Sequence, residues 1–265
     1  MNTAILYRTV DTISLCLNWA VLILSKVVSK PLKWTLVPVK GIRLRNGLTF
    51  ALRNSELDTD LAILGEVWCR EEYTPPFMAI GSGDVVVDVG ANKGYFAVYA
   101  SQRASEGKVY AFEPVPRLFS LLEQNVDRNR ITNIVCFQRA VSQSTGTAQF
   151  LESLNNNNSH SLYAVSGESR AITVQTTTIK DFCAEQNIRI INFLKLDCEG
   201  AEYDIILNME PEVLRSIGKI SLEYHELTSA QRPELLMKFL QTNGFVVVSR
   251  GSYIYATSTS ATAAW

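Results

Sequence analysis

The stretch Asp84-Val-Val-Val-Asp88-Val-Gly90-Ala-Asn92-Lys-Gly94 reads as a buried strand that runs into a glycine-rich turn and then a helix. Such a turn brings a ligand onto backbone N–H groups at a helix start. A second apolar run, 108–113, ends in Glu113, about 20 residues beyond Gly90, where a carboxylate is placed to chelate a ribose diol. A nicotinamide dinucleotide uses the same device, but the charge of Asp88 would stand close to its pyrophosphate and repel it. S-adenosylmethionine carries no phosphate, and its sulfonium and amino groups are cationic, so an acidic pocket mouth favours it. The plainer alternative is a tight strand-to-helix turn that Asp88 caps, and the constellation as a whole outweighs it.

Methyl transfer from a sulfonium is an in-line displacement whose leaving group is already activated. A protein must then align the acceptor oxygen and remove its proton. The candidates for that work are Asp197, Glu199, Glu202, Glu223 and His225, at the ends of the fourth and fifth strand-like runs. Plain helix chemistry, with Asp197 as N-cap and Glu199 or Glu202 as first-turn acids, accounts well for Glu202. It accounts less well for two acids and Lys195 meeting at the end of a buried strand, so Asp197 and Glu199 are read as catalytic. His225, flanked by Glu223 and Glu226, sits where its pKa can rise and its tautomer be fixed, and it reads equally as a base or as a structural residue. His160 lies in a polar Ser-His-Ser loop and receives no role. The same acids with His225 could hold Mg or Mn, but their spacing matches no metal-binding loop and no metal is assigned.

The elements that must position these groups follow from periodicity. Strand-like runs at 85–89, 108–113, 134–140, 193–197 and 220–224 alternate with helical segments at 95–103, 117–129, 203–209 and 233–242, the signature of a parallel α/β sheet. Segments 245–249 and 253–257 flank Arg250-Gly-Ser and predict a closing hairpin. Upstream, even-numbered apolar positions from Ile42 to Leu52 around Asn46-Gly47 predict a short hairpin, and 60–73 a helix ending before Pro75-Pro76. With 265 residues, 47% hydrophobic and 19% charged, the chain can bury one sizeable core, which excludes wholesale disorder and collagen-like or mucin-like classes. Five scattered cysteines without a C-x-x-C argue against a disulfide framework and point to a reducing, cytoplasmic compartment.

The net charge of -1 hides a basic arm and an acidic body, because residues 1–53 carry eight basic side chains against Asp11 alone. An acidic body is a poor general binder of nucleic acid, and none is expected. Residues 13–24 are apolar but too short to span a bilayer, and Ser25-Lys-Val-Val-Ser29 offers no convincing signal-peptidase pattern. Asp11, Ser14, Asn18, Ser25 and Ser29 line one face of an amphipathic helix. That helix is read as packing on its own domain or on a partner subunit in preference to a membrane surface. Lys26, Lys30 and Lys33 keep peripheral membrane contact through residues 10–33 open.

Three segments together, 85–96, Val109-Tyr-Ala-Phe-Glu-Pro114 and Phe193-Leu-Lys-Leu-Asp-Cys-Glu-Gly-Ala-Glu202, resemble the signatures of the FkbM-type S-adenosylmethionine-dependent methyltransferases. The resemblance runs from about residue 48 to 257 and includes Arg139-Ala-Val-Ser142 and Leu222-Glu-Tyr-His-Glu226. It implies a class I, Rossmann-like α/β fold: a seven-stranded, mostly parallel sheet with an antiparallel C-terminal hairpin. It places Asp88, Gly90, Asn92 and Gly94 around the methionine part of the cofactor, Glu113 on the ribose and Ala140 near the adenine. Where many class I enzymes hold the adenine amino group with an acid, this chain has Gln138 and Arg139. The expected organisation is a basic helical arm (1–40), a lead-in (41–80) and the cofactor-binding domain (81–265). The expected reaction is O-methylation of a sugar, glycan or small secondary metabolite. A non-catalytic module that keeps the fold is the rival reading, with a dehydrogenase behind it, and the oligomeric state is left open.

Overall fold

Residues 11–20, 41–51, 57–153 and 168–260 are described by the computed structural model. A two-residue ribbon pairs β1 (Ile42–Arg43) with β2 (Thr49–Phe50), and α1 (Leu57–Leu64) continues into one π-helical turn, Gly65–Cys69. Then come β3 (Val85–Val89), α2 (Tyr95–Arg103), β4 (Lys108–Phe112), α3 (Pro116–Arg128) and β5 (Ile134–Phe137). A smaller excursion follows: β6 (Ala140–Val141), β7 (Gly146–Ser153) and β8 (Ser169–Thr177). The chain returns through α4 (Ile179–Gln186), β9 (Ile191–Leu196), α5 (Glu202–Leu207), α6 (Pro211–Arg215) and β10 (Ile217–Glu223). It closes with α7 (Pro233–Thr242), β11 (Phe245–Arg250) and β12 (Tyr253–Ser258).

The main sheet has seven strands in the order β11-β12-β10-β9-β3-β4-β5. Only β12 runs opposite to the other six strands, so the Rossmann-like, mostly parallel sheet with an antiparallel C-terminal hairpin is as the resemblance implies. The chain moves outward from β3 to β5 on one side and from β9 to β10 on the other. The sheet therefore has a switch point between β3 and β9, and the crevice at their carboxyl ends is where such sheets bind ligands. Alternation along β3 explains its valines: Val86 packs with Phe193 and α2, whereas Val87 and Val89 pack with Leu194, Leu196 and the opposite layer. Asp88 shares the first face and lies beside Lys195 of β9 in the register. Helix α2 is buried continuously from Tyr95 to Ser101, because the lead-in covers the face that the sheet does not.

Several expected elements differ. The strand expected over 134–140 stops at Phe137, since Ala140 and Val141 pair instead with Thr176 and Thr177 of β8 in a separate three-stranded sheet, β6-β8-β7. The β7–β8 ribbon went unread because it buries few apolar residues, chiefly Phe150 and Val174. The helix expected over 60–73 starts at Leu57 and ends at Cys69. The continuous amphipathic helix at the N-terminus is interrupted within the described residues: Cys16 is fully buried and bridges antiparallel to Leu44, with Leu17 N–H donating to the Arg43 carbonyl at 2.6 Å. Residues 11–20 thus pack on their own domain, and Asn18 clasps the Gly41 carbonyl and the Arg43 N–H, both at 3.0 Å. Lys26, Lys30, Lys33, the Asn155–Asn158 patch and His160 lie outside the described residues. Among the described residues, no helix is long and apolar enough to cross a membrane.

Candidate active site

At the carboxyl end of β3, Gly90 has φ +77°, and a Cβ there would fall 1.8 Å from the Asp197 carbonyl oxygen. The turn after β9 crosses the turn after β3 so closely that only glycine fits. Gly94, at φ +84°, caps α2 and packs against Leu122 of α3, outside the cavity wall. The N–H groups of Asn92 and Val115 each donate to one oxygen of Glu113 at 2.9 Å. Glu113 is only 4% exposed, and burial pushes its carboxyl up to about 8 against those two donors. Leu118, Ala140, Val141 and Phe150 give this end of the cavity an apolar wall. Asp88 is placed differently from the other sequence candidates. It is fully buried beneath the cavity floor and meets the site through Lys195, whose Nζ is 3.1 Å from its Oδ1.

The other end of the cavity is charged. Lys195, 3% exposed, donates to the Gly90 carbonyl at 3.0 Å and stands 3.6 Å from Asp197 Oδ2. The Asp88 and Asp197 carboxylates outweigh the cost of its burial and hold it firmly protonated. Tyr73, which follows the π turn, sends its hydroxyl to Asp197 Oδ2 (2.8 Å) and Glu223 Oε2 (3.0 Å), with Lys195 Nζ 5.2 Å from its ring centre. Glu199 occupies the left-handed region at φ 54°, next to Gly200 at φ 99°, and this bend turns it into the cavity wall. Burial pushes Glu199 up to about 8, although His225 opposes the rise, and Glu66 of the lead-in is pushed up to about 7 by burial and by Glu72.

Glu202 is fully buried and serves its own loop, accepting the N–H groups of Cys198 (2.7 Å) and Gly200 (2.8 Å). Its Oε1 is also 3.3 Å from His225 Nδ1, while His225 Nε2 lies 3.9 Å from Glu199 Oε2. Burial alone would depress the imidazole, but the bond to Glu202 and the charges of Asp197, Glu202 and Glu199 carry it up to about 10. At neutral pH His225 is an imidazolium, which gives a proton and does not take one.

One cavity of about 300 Å³ joins the two ends, lined by Gly90, Asn92, Glu113 and Ala140 as well as by Asp197, Glu199, Glu223 and His225. The sequence candidates other than Asp88, Gly94 and Glu202 are brought together there. Tyr73 and Glu66 line it too and were not foreseen, because they arrive by packing of the lead-in and carry no motif. The walls suit S-adenosylmethionine. Glu113 uses two of its roughly four acceptor sites on backbone donors and leaves the rest for hydroxyls, and the acids at the far end match a cation. Donor atoms of Asp197, Glu223 and His225 lie within 4.8 Å of one another, close enough for a divalent ion. Their contacts are already engaged by Tyr73, Lys195 and Glu202.

Sheet order and a cavity at the switch point make this a Rossmann-like fold with its ligand crevice beside Glu113. Residues 88–247 match the family described as the methyltransferase FkbM domain, and the chain belongs to that family, whose methyl donor is S-adenosylmethionine. It is 26% identical over 247 residues to the 31-O-demethyl-FK506 methyltransferase FkbM of Streptomyces tacrolimicus, covering 82% of this chain and 93% of that one. It is 32% identical to the hexuronic acid methyltransferase AglP of Haloferax volcanii over 54% of this chain and 56% of the relative. The 2-O-methyltransferase NoeI of Sinorhizobium fredii is 28% identical over 56% of this chain and 67% of its own.

Proposed function

We propose that this methyltransferase transfers its methyl group to a hydroxyl oxygen of a sugar, a glycan or a small secondary metabolite. The observation that carries the reading is Asp197, a carboxylate on the same cavity as Glu113 and the glycine-rich turn, oriented by Tyr73 and steadied by Lys195. Bound S-adenosylmethionine would supply an activated methyl group. Glu113 would hold the ribose hydroxyls, the backbone of Gly90 and Asn92 the methionine end, and Ala140 the adenine, with Asp88 acting through Lys195 and Gly94 through the seating of α2. Asp197 then accepts the acceptor's hydroxyl proton as the carbon–oxygen bond forms. His225, as an imidazolium, donates to the acceptor and orients Glu199 beside it. Two relatives support an oxygen acceptor by name, one acting on 31-O-demethyl-FK506 and one at a 2-O position, and a third, named for a hexuronic acid, supports a sugar.

The test is a panel of hydroxylated sugars, glycans, uronic acids and small secondary metabolites offered with methyl-labelled S-adenosylmethionine. Label should appear as an acid-stable methyl ether on at least one acceptor. Asp197→Asn should lower turnover at least about tenfold while leaving cofactor affinity within a few fold, since base catalysis supplies about 10² to 10⁴ in rate. Label only on nitrogen would reject the reading, and so would wild-type turnover in Asp197→Asn. Activity lost on chelation and restored by Mg or Mn would make Asp197, Glu223 and His225 metal ligands instead.

A further inference from the structure

Tyr73 makes two contacts that one hydroxyl cannot satisfy in the same way. A phenol has a single hydrogen to donate, yet its oxygen lies 2.8 Å from Asp197 Oδ2 and 3.0 Å from Glu223 Oε2. If both carboxylates were ionised, one of these contacts would set a negative oxygen against a phenol lone pair. One hydrogen shared between both acids would serve each weakly, and the chain pairs fully when a proton sits on one acid: Glu223 donating to the phenol oxygen while Tyr73 donates to Asp197, or the mirror arrangement. Burial and the neighbouring Asp197 both raise Glu223, which favours the first form and leaves Asp197 free to accept. Glu223 Oε1 in turn takes the Ser252 hydroxyl, 3.2 Å away in the turn between β11 and β12. Tyr73 is itself held far above the ordinary phenol range by burial and by Asp197 and Glu223, so it stays neutral.

We propose that Tyr73 is a proton relay that resets Asp197 by passing the acceptor's proton on to Glu223, and so is a positioning and shuttling residue of the transfer step. The inference rests on the reading of Asp197 as the base. In the transfer itself the carbon–sulfur bond breaks with its electron pair on sulfur, the carbon–oxygen bond forms, and the hydroxyl proton goes to Asp197. Glu223 gives its own proton to water. Asp197 then passes a proton to the phenol oxygen as the phenol gives its hydrogen to Glu223, which leaves Asp197 anionic and Tyr73 unchanged. The charged and titratable groups facing this chain are Lys195 under the Tyr73 ring, Asp88 behind it, Glu66 and Glu72 of the lead-in, Glu199 and Cys198 of the loop after β9, His225, and Tyr253, edge-on at 5.3 Å, with Tyr255 beside it.

Tyr73→Phe keeps the ring and removes the relay. With the acceptor that the panel identifies, it should lower kcat at least about tenfold, leave acceptor KM and S-adenosylhomocysteine affinity within a few fold, and move the acid limb of the kcat profile upward. Glu223→Gln should cost a similar factor, and the double variant no more than the larger single loss, because both break one chain. Carbon-13 carboxyl titration of the S-adenosylhomocysteine complex requires no acceptor. In the wild type Asp197 and Glu223 should titrate in two linked steps, and in Tyr73→Phe the lower step should move up. Wild-type kcat and an unmoved profile in Tyr73→Phe would overturn the relay, as would multiplied losses in the double variant or independent titration of the two acids. An indifferent Asp197→Asn would instead remove the base on which the relay depends.

Discussion

The two ends of the cavity are built by opposite means. The end near Glu113 uses backbone N–H groups, a glycine and an apolar wall, nearly all from one run of chain between Val89 and Val141. The end near Asp197 uses charged side chains delivered by the π turn, the segment after it, the loop after β9 and the end of β10. The first is held by hydrogen bonds within one short run of chain. The second holds its shape through a balance of charge, so it responds to protons and to single substitutions. This contrast predicts large, pH-independent effects at the seam between the turns, and smaller, pH-dependent ones at the buried titratable side chains, Glu113 at the first end included.

The largest effect is expected where the two ends touch. Gly90→Ala puts a Cβ 1.8 Å from the Asp197 carbonyl oxygen in a backbone conformation that side chains avoid. Either the turn after β3 or the loop carrying Asp197 must move, and calorimetry should find no measurable S-adenosylmethionine binding even in protein that remains folded by circular dichroism. Normal affinity in this variant would show that the seam is soft.

Next comes Glu113, the carboxylate proposed to hold the ribose diol. Glu113→Ala should weaken S-adenosylmethionine more than tenfold, since it removes a charge-assisted contact worth roughly 1.5 to 3 kcal/mol. In the empty site burial holds the Glu113 carboxyl up to about 8, so near neutrality much of it is protonated. Ribose hydroxyls donate to the ionised form, so binding should release protons and affinity should rise between about pH 6 and 8. Calorimetry in buffers of different ionisation enthalpy measures that release. Identical apparent enthalpies would place the diol elsewhere.

The acidic end is tested through His225. Its imidazole is carried up to about 10 from an ordinary 6.5, so the folded state binds that proton more tightly than the unfolded chain does. The associated stability is fully present below about pH 6.5 and fades as pH rises toward 10. Proton NMR should show the ring titrating well above pH 8, and His225→Ala should flatten the loss of thermal stability on the alkaline side. A ring that titrates near 6.5 would return His225 to candidacy as a base.

How much of this was legible in the chain follows the same division. The Val-rich strand, the glycine turn and Glu113 are local in sequence, so their order already places them in space. Asp197, Glu199 and His225 could be nominated because they follow apolar runs, which marks them as strand ends. The raised pKa values of Glu199 and His225 could not, since they depend on Glu202 facing His225 and on how deeply each is buried. Asp88 reads as a ligand-facing acid by position, yet alternation along β3 turns it under the floor toward Lys195. Tyr73 and Glu66 had no signal, because a single tyrosine after a helix gains a role only once the lead-in folds across α2.

The smallest effect concerns the N-terminal segment. Residues 11–20 are part of the domain through buried Thr12 and Cys16, yet Ile13, Leu17 and Trp19 stay 39%, 54% and 38% exposed. These three apolar side chains precede the sequence that carries Lys26, Lys30 and Lys33, a pairing that suits the surface of an anionic membrane. If they insert, the protein should sediment with phosphatidylserine vesicles at low salt and be released at high salt, where the basic contribution is screened. Replacing Ile13, Leu17 and Trp19 together with serine should abolish sedimentation while leaving S-adenosylhomocysteine affinity unchanged, because none of the three lines the cavity. Sedimentation that survives the triple replacement would move the contact away from this face. If the wild type ignores vesicles at low salt, membrane contact through this face is discarded, which leaves the packing of Cys16 against Leu44 as what the segment does.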